Sequence, residues 1–189
     1  MIYKLSFNYE GFLNLDIYLE ELGDEIGEVI GEEAFYNYSW ENRTLKDHWV
    51  DVGGGFVAVG LDATKAPDIT AWNGANLVLS PKSYTALKEV LEKYGEFLPL
   101  TIDDQVYHVF NCLNTVSVDK SQSESDIVNE LWMGIKSIGF DEEVVSKNLI
   151  FKTTFDRCGA IYCGVEFKAL IESLNLEGLL FLENLVAGF

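Results

Sequence analysis

The chain has 189 residues, of which 48% are hydrophobic and 13% aromatic, enough to bury a core without disulfides. Its 31 acidic and 13 basic residues give a formal net charge of −18, which argues against nucleic acid or an anionic membrane as a partner. The acidity favours either plain solubility or fast encounter with a basic protein. No apolar run is long enough to span a membrane, and the N-terminus lacks a signal peptide core, which predicts a cytoplasmic protein.

Residues 1–66 are predicted to form an N-terminal α/β extension. The alternation in IYKLSFNY predicts a half-buried strand, with Tyr3, Leu5 and Phe7 on one face and Lys4 on the other. Helical spacing over residues 15–33 predicts an amphipathic helix with a buried stripe of Leu19, Leu22, Ile26, Val29 and Ile30. The spacing also places Gly23, Gly27 and Gly31 on one stripe, which indicates either close packing against another element or a break in the helix.

The polar face of this predicted helix is acidic throughout, with Glu20, Glu21, Asp24, Glu25, Glu28 and Glu32. No lysine or arginine lies between Leu5 and Trp40, although acids four residues apart repel by a few tenths of a kcal/mol per pair. We interpret this face as a candidate binding surface for a basic protein, while solvation of a surface helix is the simpler explanation.

Glycine and turn-forming residues punctuate the middle of the chain. Gly53, Gly54 and Gly55 separate two strand-like pieces and predict a turn or bulge, because the helix start and Lys-Ser/Thr of a phosphate loop are missing. The turn-rich residues 63–76 suggest a boundary between a region 1–66 and a region 67–189, within one compact domain overall.

A strand–helix–strand pattern occurs twice. In LVLSPKSYTALKEVLEKYGEF, residues 77–97, Ser80 and Pro81 predict a capped helix start, and Gly95 predicts a left-handed helix stop. A shift of 83 residues aligns this stretch with AIYCGVEFKALIESLNLEGLL, residues 160–180, where Gly178 matches Gly95. The repeat predicts an α+β fold with mixed or antiparallel sheets and two similar strand–helix–strand units. Residues 127–140 fit either a helix or a strand.

Residues with catalytic or metal-binding chemistry are sparse. His108 is predicted to lie half-buried on a strand, and Cys112, Cys158 and Cys163 are predicted to be reduced, buried thiols. His48 has Asp47 and Asp51 nearby, but the spacing matches no recognised ligand set. The sequence therefore predicts no catalytic residue, metal or cofactor and no enzymatic activity. Two alternatives stay open: an enzyme with an unfamiliar site at these three residues, and a self-associating adaptor.

The order of features from Pro67 to Phe181 carries a family resemblance. PDI is followed by LVLSPKSYTALKEVLEKYGEFLPL, VYHVFNCLNTVSVDKSQS, FDEEVVSKNLIFK and AIYCGVEFKALIESLNLEGLLF. This series resembles the bacterial immunity proteins of polymorphic toxin systems, specifically immunity protein family eleven. The resemblance implies a non-enzymatic protein that binds and neutralises a cognate toxin, many of which are nucleases. By the same comparison, residues 124–139 form an insertion.

Overall fold

A computed structural model describes residues 1–17, 19–50, 52–59 and 62–187, without the side chains of residues 19–22. The strands are β1 Ile2–Phe7, β2 Asn14–Ile17, β3 Val52–Val57, β4 Ile69–Trp72, β5 Asn76–Leu79, β6 Gly95–Ile102, β7 Gln105–Cys112, β8 Glu124–Val128, β9 Leu131–Ser137, β10 Ile150–Phe151, β11 Tyr162–Gly164 and β12 Leu179–Leu182. The helices are α1 Leu19–Ile30, α2 Glu32–Tyr36, α3 Pro81–Leu91, α4 Glu142–Val145 and α5 Val165–Ser173.

The strands form three sheets, so the α+β class predicted from the sequence is confirmed. A six-stranded mixed sheet has the order β2-β3-β6-β7-β5-β4, in which only β3 and β6 pair in parallel. A four-stranded antiparallel sheet has the order β10-β11-β1-β12, and β8 pairs with β9 in a separate hairpin. Strands from the first 66 residues therefore lie in both large sheets.

The two predicted strand–helix–strand units are present, and their topologies match beyond the repeated segments. The first unit consists of β5, α3 and β6. Its two strands are not adjacent in the sheet, because β7 lies between them and pairs antiparallel with both. The second unit consists of β11, α5 and β12, and here β1 lies between the two strands and pairs antiparallel with both. The short strands β4 and β10 occupy the equivalent outer positions. Each unit is thus a split β-α-β arrangement with a different source for its central strand.

The buried stripes of the two helices meet in one hydrophobic core. Leu87 and Leu91 of α3 lie in the same cluster as Phe167 and Ile171 of α5. Tyr3 and Leu5 of β1 also belong to this cluster, as the alternation in the N-terminal strand predicts. The predicted start of α3 is confirmed as well, because the Ser80 side chain accepts a hydrogen bond from the Ser83 N–H and Pro81 occupies the first turn.

The two glycines that were predicted to be equivalent helix stops differ. Gly178 has a φ of 115°, but Gly95 begins β6 without a positive φ, so the left-handed stop predicted there is wrong. A Cβ atom at Gly95 would collide with the Asn111 carbonyl oxygen and the Phe110 ring. Close approach between β6 and β7 therefore explains Gly95, while Gly178 serves a left-handed turn.

The N-terminal helix departs from the prediction at both ends. Leu15 lies in β2, because the chain is extended over Asn14–Ile17 before α1 begins. Gly31, with a φ of 91°, separates α1 from α2. A Cβ at Gly23 would lie 3.0 Å from the Tyr36 hydroxyl oxygen, so the glycine stripe lets α2 fold back against α1. The break in the helix and the close packing both occur.

Three predicted burial or loop assignments are also wrong. Val29 is 65% exposed, since α2 covers the Ile26 side of α1 instead. Lys4 is 5% exposed even though it alternates with the apolar side chains of β1, because both faces of that strand are covered. Gly53, Gly54 and Gly55 form no turn but run inside β3, where a Cβ at Gly54 would lie 3.0 Å from the Asp16 carbonyl oxygen.

Residues 124–137 form the hairpin of β8 and β9, which resolves the ambiguous region 127–140 largely as a strand. The two-residue turn Asn129–Glu130 has positive φ at both positions, which suits the twist of a tight hairpin. A similar turn at Asp103–Asp104 joins β6 to β7. None of the helices in the described parts of the chain is long and apolar enough to cross a membrane.

Candidate functional site

The predicted acidic face lies on α1 and α2 and is open to solvent. Asp24, Glu25, Glu28 and Glu32 are exposed, and the structure shows no ion pair to any of them within the described residues. Glu20 and Glu21 lie in α1, but their side chains are outside the described part of the structure. The fold therefore leaves this face free of neutralising cations. Its role in binding stays a prediction.

The structure describes two of the three residues of the alternative enzymatic site. Asp47 and His48 are both exposed, and Asp51 lies outside the described residues. Across the described ranges no group of three or more His, Cys, Asp or Glu side chains is placed to hold a metal ion. His108 is half-buried and stacks on Tyr84 with the ring centres 3.5 Å apart, as expected for a strand residue at the edge of the core. Burial lowers the pKa of His108, and Lys88 lowers it further.

All three cysteines are free and buried, as predicted. Burial raises the pKa of the Cys112 thiol to about 12, and it also raises the pKa values of Cys158 and Cys163. The thiolate is the reactive form of cysteine, so these groups are inert in the folded protein.

The hairpin of β8 and β9 pairs with no other strand in the described structure. Ile127, Val128, Leu131 and Met133 on it have exposed fractions between 50% and 67%. A hairpin of two strands is only marginally stable alone. At its base, a hydrogen bond 2.8 Å long from the Asp119 N–H to the Gly139 carbonyl joins the two chain segments that flank the hairpin.

Trp40 is an exposed aromatic residue on a loop, residues 39–46, that is anchored by buried polar groups. The Glu96 carboxylate, 8% exposed, accepts hydrogen bonds from the Thr44 hydroxyl and from the N–H groups of Leu45 and Lys46. The Asn111 side chain donates to the Arg43 carbonyl and to Glu96, both at 2.8 Å. Asn111 and Glu96 are register partners on β7 and β6, so the sheet itself holds the loop.

A buried lysine completes the anchor. Lys152 is fully buried, and its ammonium donates to the Ser39 carbonyl at 3.0 Å, directly before Trp40 in the chain. Burial lowers the pKa of Lys152, while nearby groups that include Cys112 and Asp156 oppose this shift. Trp40 itself is 60% exposed although the residue before it is buried. The loop therefore presents an indole ring to solvent from a rigid base.

Trp40 and Trp132 line the same concavity, which we call the tryptophan cleft. Its volume is about 700 Å³, and its walls are Trp40 on the anchored loop and Trp132, Met133 and Ile135 on β9. The guanidinium of Arg157 lies 4.4 Å from the centre of the Trp132 ring, a cation–π contact between the body and the hairpin. Trp40 and Arg157 also border a smaller adjoining concavity of about 400 Å³.

The floor of the tryptophan cleft carries an internally compensated pair of charges. The Asp156 carboxylate accepts from the Tyr162 hydroxyl at 2.8 Å and from the Gly159 N–H at 3.2 Å. The Lys4 ammonium donates to the Ala187 carbonyl at 2.7 Å. Burial raises the pKa of Asp156 and lowers that of Lys4, and the attraction between the two charges opposes both shifts.

Backbone strain lies directly beneath the Arg157 contact. Arg157 and Cys158 have φ values of 59° and 53°, two consecutive non-glycine residues in the left-handed region. Each such residue costs of order 1 kcal/mol, and such strain concentrates at functional sites. This turn follows the short helical turn Thr154–Asp156 and directs Asp156 inward while Arg157 stays exposed on the surface.

The arrangement suits binding of a large uncharged side chain. Aromatic and apolar groups form the walls, and the charged groups of the floor already have partners. The prediction from sequence missed this cleft, because its lining comes from six separate parts of the chain, around Lys4, Trp40, Asn73, Trp132, Arg157 and Val186. The predicted insertion 124–139 is the sequence signal that could have found it, because it contains Trp132, Met133 and Ile135.

The sequence matches no protein-family model and no curated protein. The residues and their geometry therefore carry the functional argument.

Proposed function

We propose that this protein is an immunity protein that binds and neutralises a cognate bacterial toxin by direct protein–protein contact. The observation that carries the proposal is the hairpin of β8 and β9, which holds four large apolar side chains in solvent on a protein of net charge −18. A soluble chain that keeps such a surface exposed has a use for it as an interface. The resemblance to immunity protein family eleven supplies the class of partner.

The charge of the chain supports the same role. A nuclease toxin grips phosphates with basic residues, and an acidic inhibitor attracts that surface over long distances. The acidic face on α1 and α2, with Asp24, Glu25, Glu28 and Glu32, is predicted to accelerate this encounter. Replacing Glu25, Glu28 and Glu32 by lysine should slow association by about tenfold or more at low salt and much less at high salt. Unchanged association at low salt would show that this face is only solvated.

The direct test is co-expression with the C-terminal domain of the protein encoded immediately upstream of this gene, which the proposal identifies as the candidate toxin domain. Cells that produce the toxin domain alone should stop growing, and cells that also produce this protein should grow. The two purified proteins should form a complex that elutes as a single species with defined stoichiometry. An unrelated toxin domain serves as the control. Growth arrest despite normal levels of this protein, together with absence of a complex, would refute the proposal.

A further inference from the structure

We infer that the tryptophan cleft is the anchor point of the interface, and that it receives a large uncharged side chain from a basic protein domain. This inference rests on the proposed function and identifies the surface and the chemistry of the partner. It shifts the centre of the interface away from the acidic helix face that the sequence indicates. Trp40, Trp132, Met133 and Arg157 meet at this one place, and these residue types are enriched at protein interfaces.

The two walls of the cleft have the properties of an interface hot spot. Trp40 is held by a loop whose backbone is fixed to Glu96, Asn111 and Lys152, so little conformational freedom is lost when a partner contacts it. Met133 stands exposed on the opposite wall, and its burial would release water from apolar surface. A cleft of about 700 Å³ has room for one large aromatic or aliphatic side chain of the partner with its flanking backbone.

The charges within the cleft select an uncharged group. Lys4 and Arg157 disfavour an inserted cation, and Asp156 together with the overall charge of −18 disfavours an inserted anion. The Asp156 carboxylate is already occupied by the Tyr162 hydroxyl and the Gly159 N–H. An apolar or aromatic side chain meets neither repulsion.

The charges around the cleft select a basic surface beside that group. The helix α2 begins with the exposed residues Glu32 and Glu33 and leads within a few residues to Trp40. On the hairpin, Lys136 is already paired with Glu124 at 2.9 Å and lies 3.9 Å from Asp126, whereas the exposed Glu130 has no ion pair among the described side chains. The segments that carry the two walls thus also carry exposed acids without ion pairs among the described side chains, and these are complementary to an apolar protrusion flanked by lysine and arginine.

A second copy of this chain fits the cleft poorly. Each copy carries a net charge of −18, so a symmetric contact would bring two acidic proteins together. Charge complementarity therefore favours a basic partner over self-association.

The test compares the wild type with two variants of the full chain in binding to the candidate toxin domain of the co-expression test, measured by calorimetry and by association kinetics. Trp40→Ser combined with Met133→Ser should weaken affinity by about 30-fold or more, through faster dissociation. Val106→Ser, at a 52% exposed valine on β7 away from the cleft, is the matched control and should bind like the wild type. Urea denaturation of each variant verifies that its fold is retained.

Each outcome has a distinct meaning. If the wild type binds the toxin domain and the double variant binds equally well, the inference about the cleft is overturned while the proposed function stands. If the wild type does not bind, the proposed function falls and the inference with it. If light scattering shows that the wild type forms dimers that the double variant loses, the occupant is a second copy, and the assignment of a basic partner is overturned.

Discussion

The loop that carries Trp40 and the hairpin that carries Trp132 face each other across the cleft, but different forces hold them. Buried side chains of the core, Glu96, Asn111 and Lys152, fix the loop through its backbone. The hairpin pairs with no other described strand, and its inner face is fastened through the exposed side chain of Arg157. The loop is therefore part of the folded core, whereas the hairpin is joined to that core by few contacts.

Because of this difference, we expect substitutions at the two walls to affect different properties, the stability of the fold at the loop and partner binding at the hairpin. A change in the anchors of the loop should act first on folding, because it leaves buried donors or acceptors unpaired. A change on the hairpin should act on the interface and leave folding nearly intact, because its apolar side chains are already in solvent. Four substitutions test the contrast.

The largest effect is expected from Glu96→Ala. The substitution removes the acceptor for Thr44, Leu45, Lys46 and Asn111 and leaves buried donors without partners. We expect the free energy of unfolding, measured by urea denaturation, to fall by about 3 kcal/mol or more. Glu92→Ala, an exposed position after α3, is the control and should change it by less than about 0.5 kcal/mol. Equal stability of Glu96→Ala and wild type would mean that apolar packing alone holds the loop.

Lys152→Met should alter how stability depends on pH. Burial lowers the pKa of Lys152 below its usual value of 10.5, so the unfolded chain binds this proton at pH values where the folded chain has lost it. As the pH rises towards 10.5, the folded wild type loses this buried charge and its free energy of unfolding increases. The variant has no charge at this position, so its stability does not change for this reason. Urea denaturation at pH 7 and at pH 9.5 should show the wild type gaining stability relative to the variant. A constant difference between the two proteins would contradict this account.

Asp156→Asn tests the floor of the cleft, and here we expect stability to depend on pH in the direction opposite to that for Lys152. Burial raises the pKa of Asp156 above its usual value of 3.8, so its contribution to stability is fully present below that value and is lost as the pH rises through the folded-state pKa. The stability of the wild type relative to the variant should therefore decrease between about pH 4 and pH 7. Thermal unfolding across this range provides the measurement, and a relative stability that increases with pH would refute the assignment.

The smallest change in stability is expected from Arg157→Ala on the hairpin side. An exposed cation–π contact contributes about 0.5–1 kcal/mol, and its loss should free the hairpin from the body. Collisional quenching of tryptophan fluorescence should increase, while the urea midpoint moves little. Arg43→Ala removes another exposed arginine, one that pairs with Glu41, and should leave the quenching unchanged. A large loss of stability in Arg157→Ala would show that the hairpin belongs to the cooperative core.

The sequence predicts those parts of the fold whose causes are local. Ser80 and Pro81 specify the start of α3 within a few residues, and the alternation in β1 marks its apolar face. Where a local sequence pattern conflicts with a contact to a distant strand, the contact determines the structure. Gly95 has the sequence context of a helix stop, but its absent side chain makes room for β7, and Gly54 of β3 makes room for β2.

The residues that support the cleft were harder to predict, because they are polar residues in buried places. Lys4, Glu96 and Lys152 look like surface residues in any pattern of alternation, and only the three-dimensional structure pairs them with backbone groups. The acidic residues of α1 and α2 were conspicuous in the sequence because they adjoin one another. Residues that are distant along the chain and form one surface leave no such signal.

The central strand of the second split unit has a consequence for how the chain is made. β1 lies between β11 and β12, with Ile2 opposite Gly164 and Phe7 opposite Leu179. During synthesis β1 emerges before the other described strands, but neither of its neighbours exists until β11 and β12 have been made. The first unit, whose strands β4 to β7 are contiguous, is able to close much earlier. One unit is thus complete while the central strand of the other still has no partner.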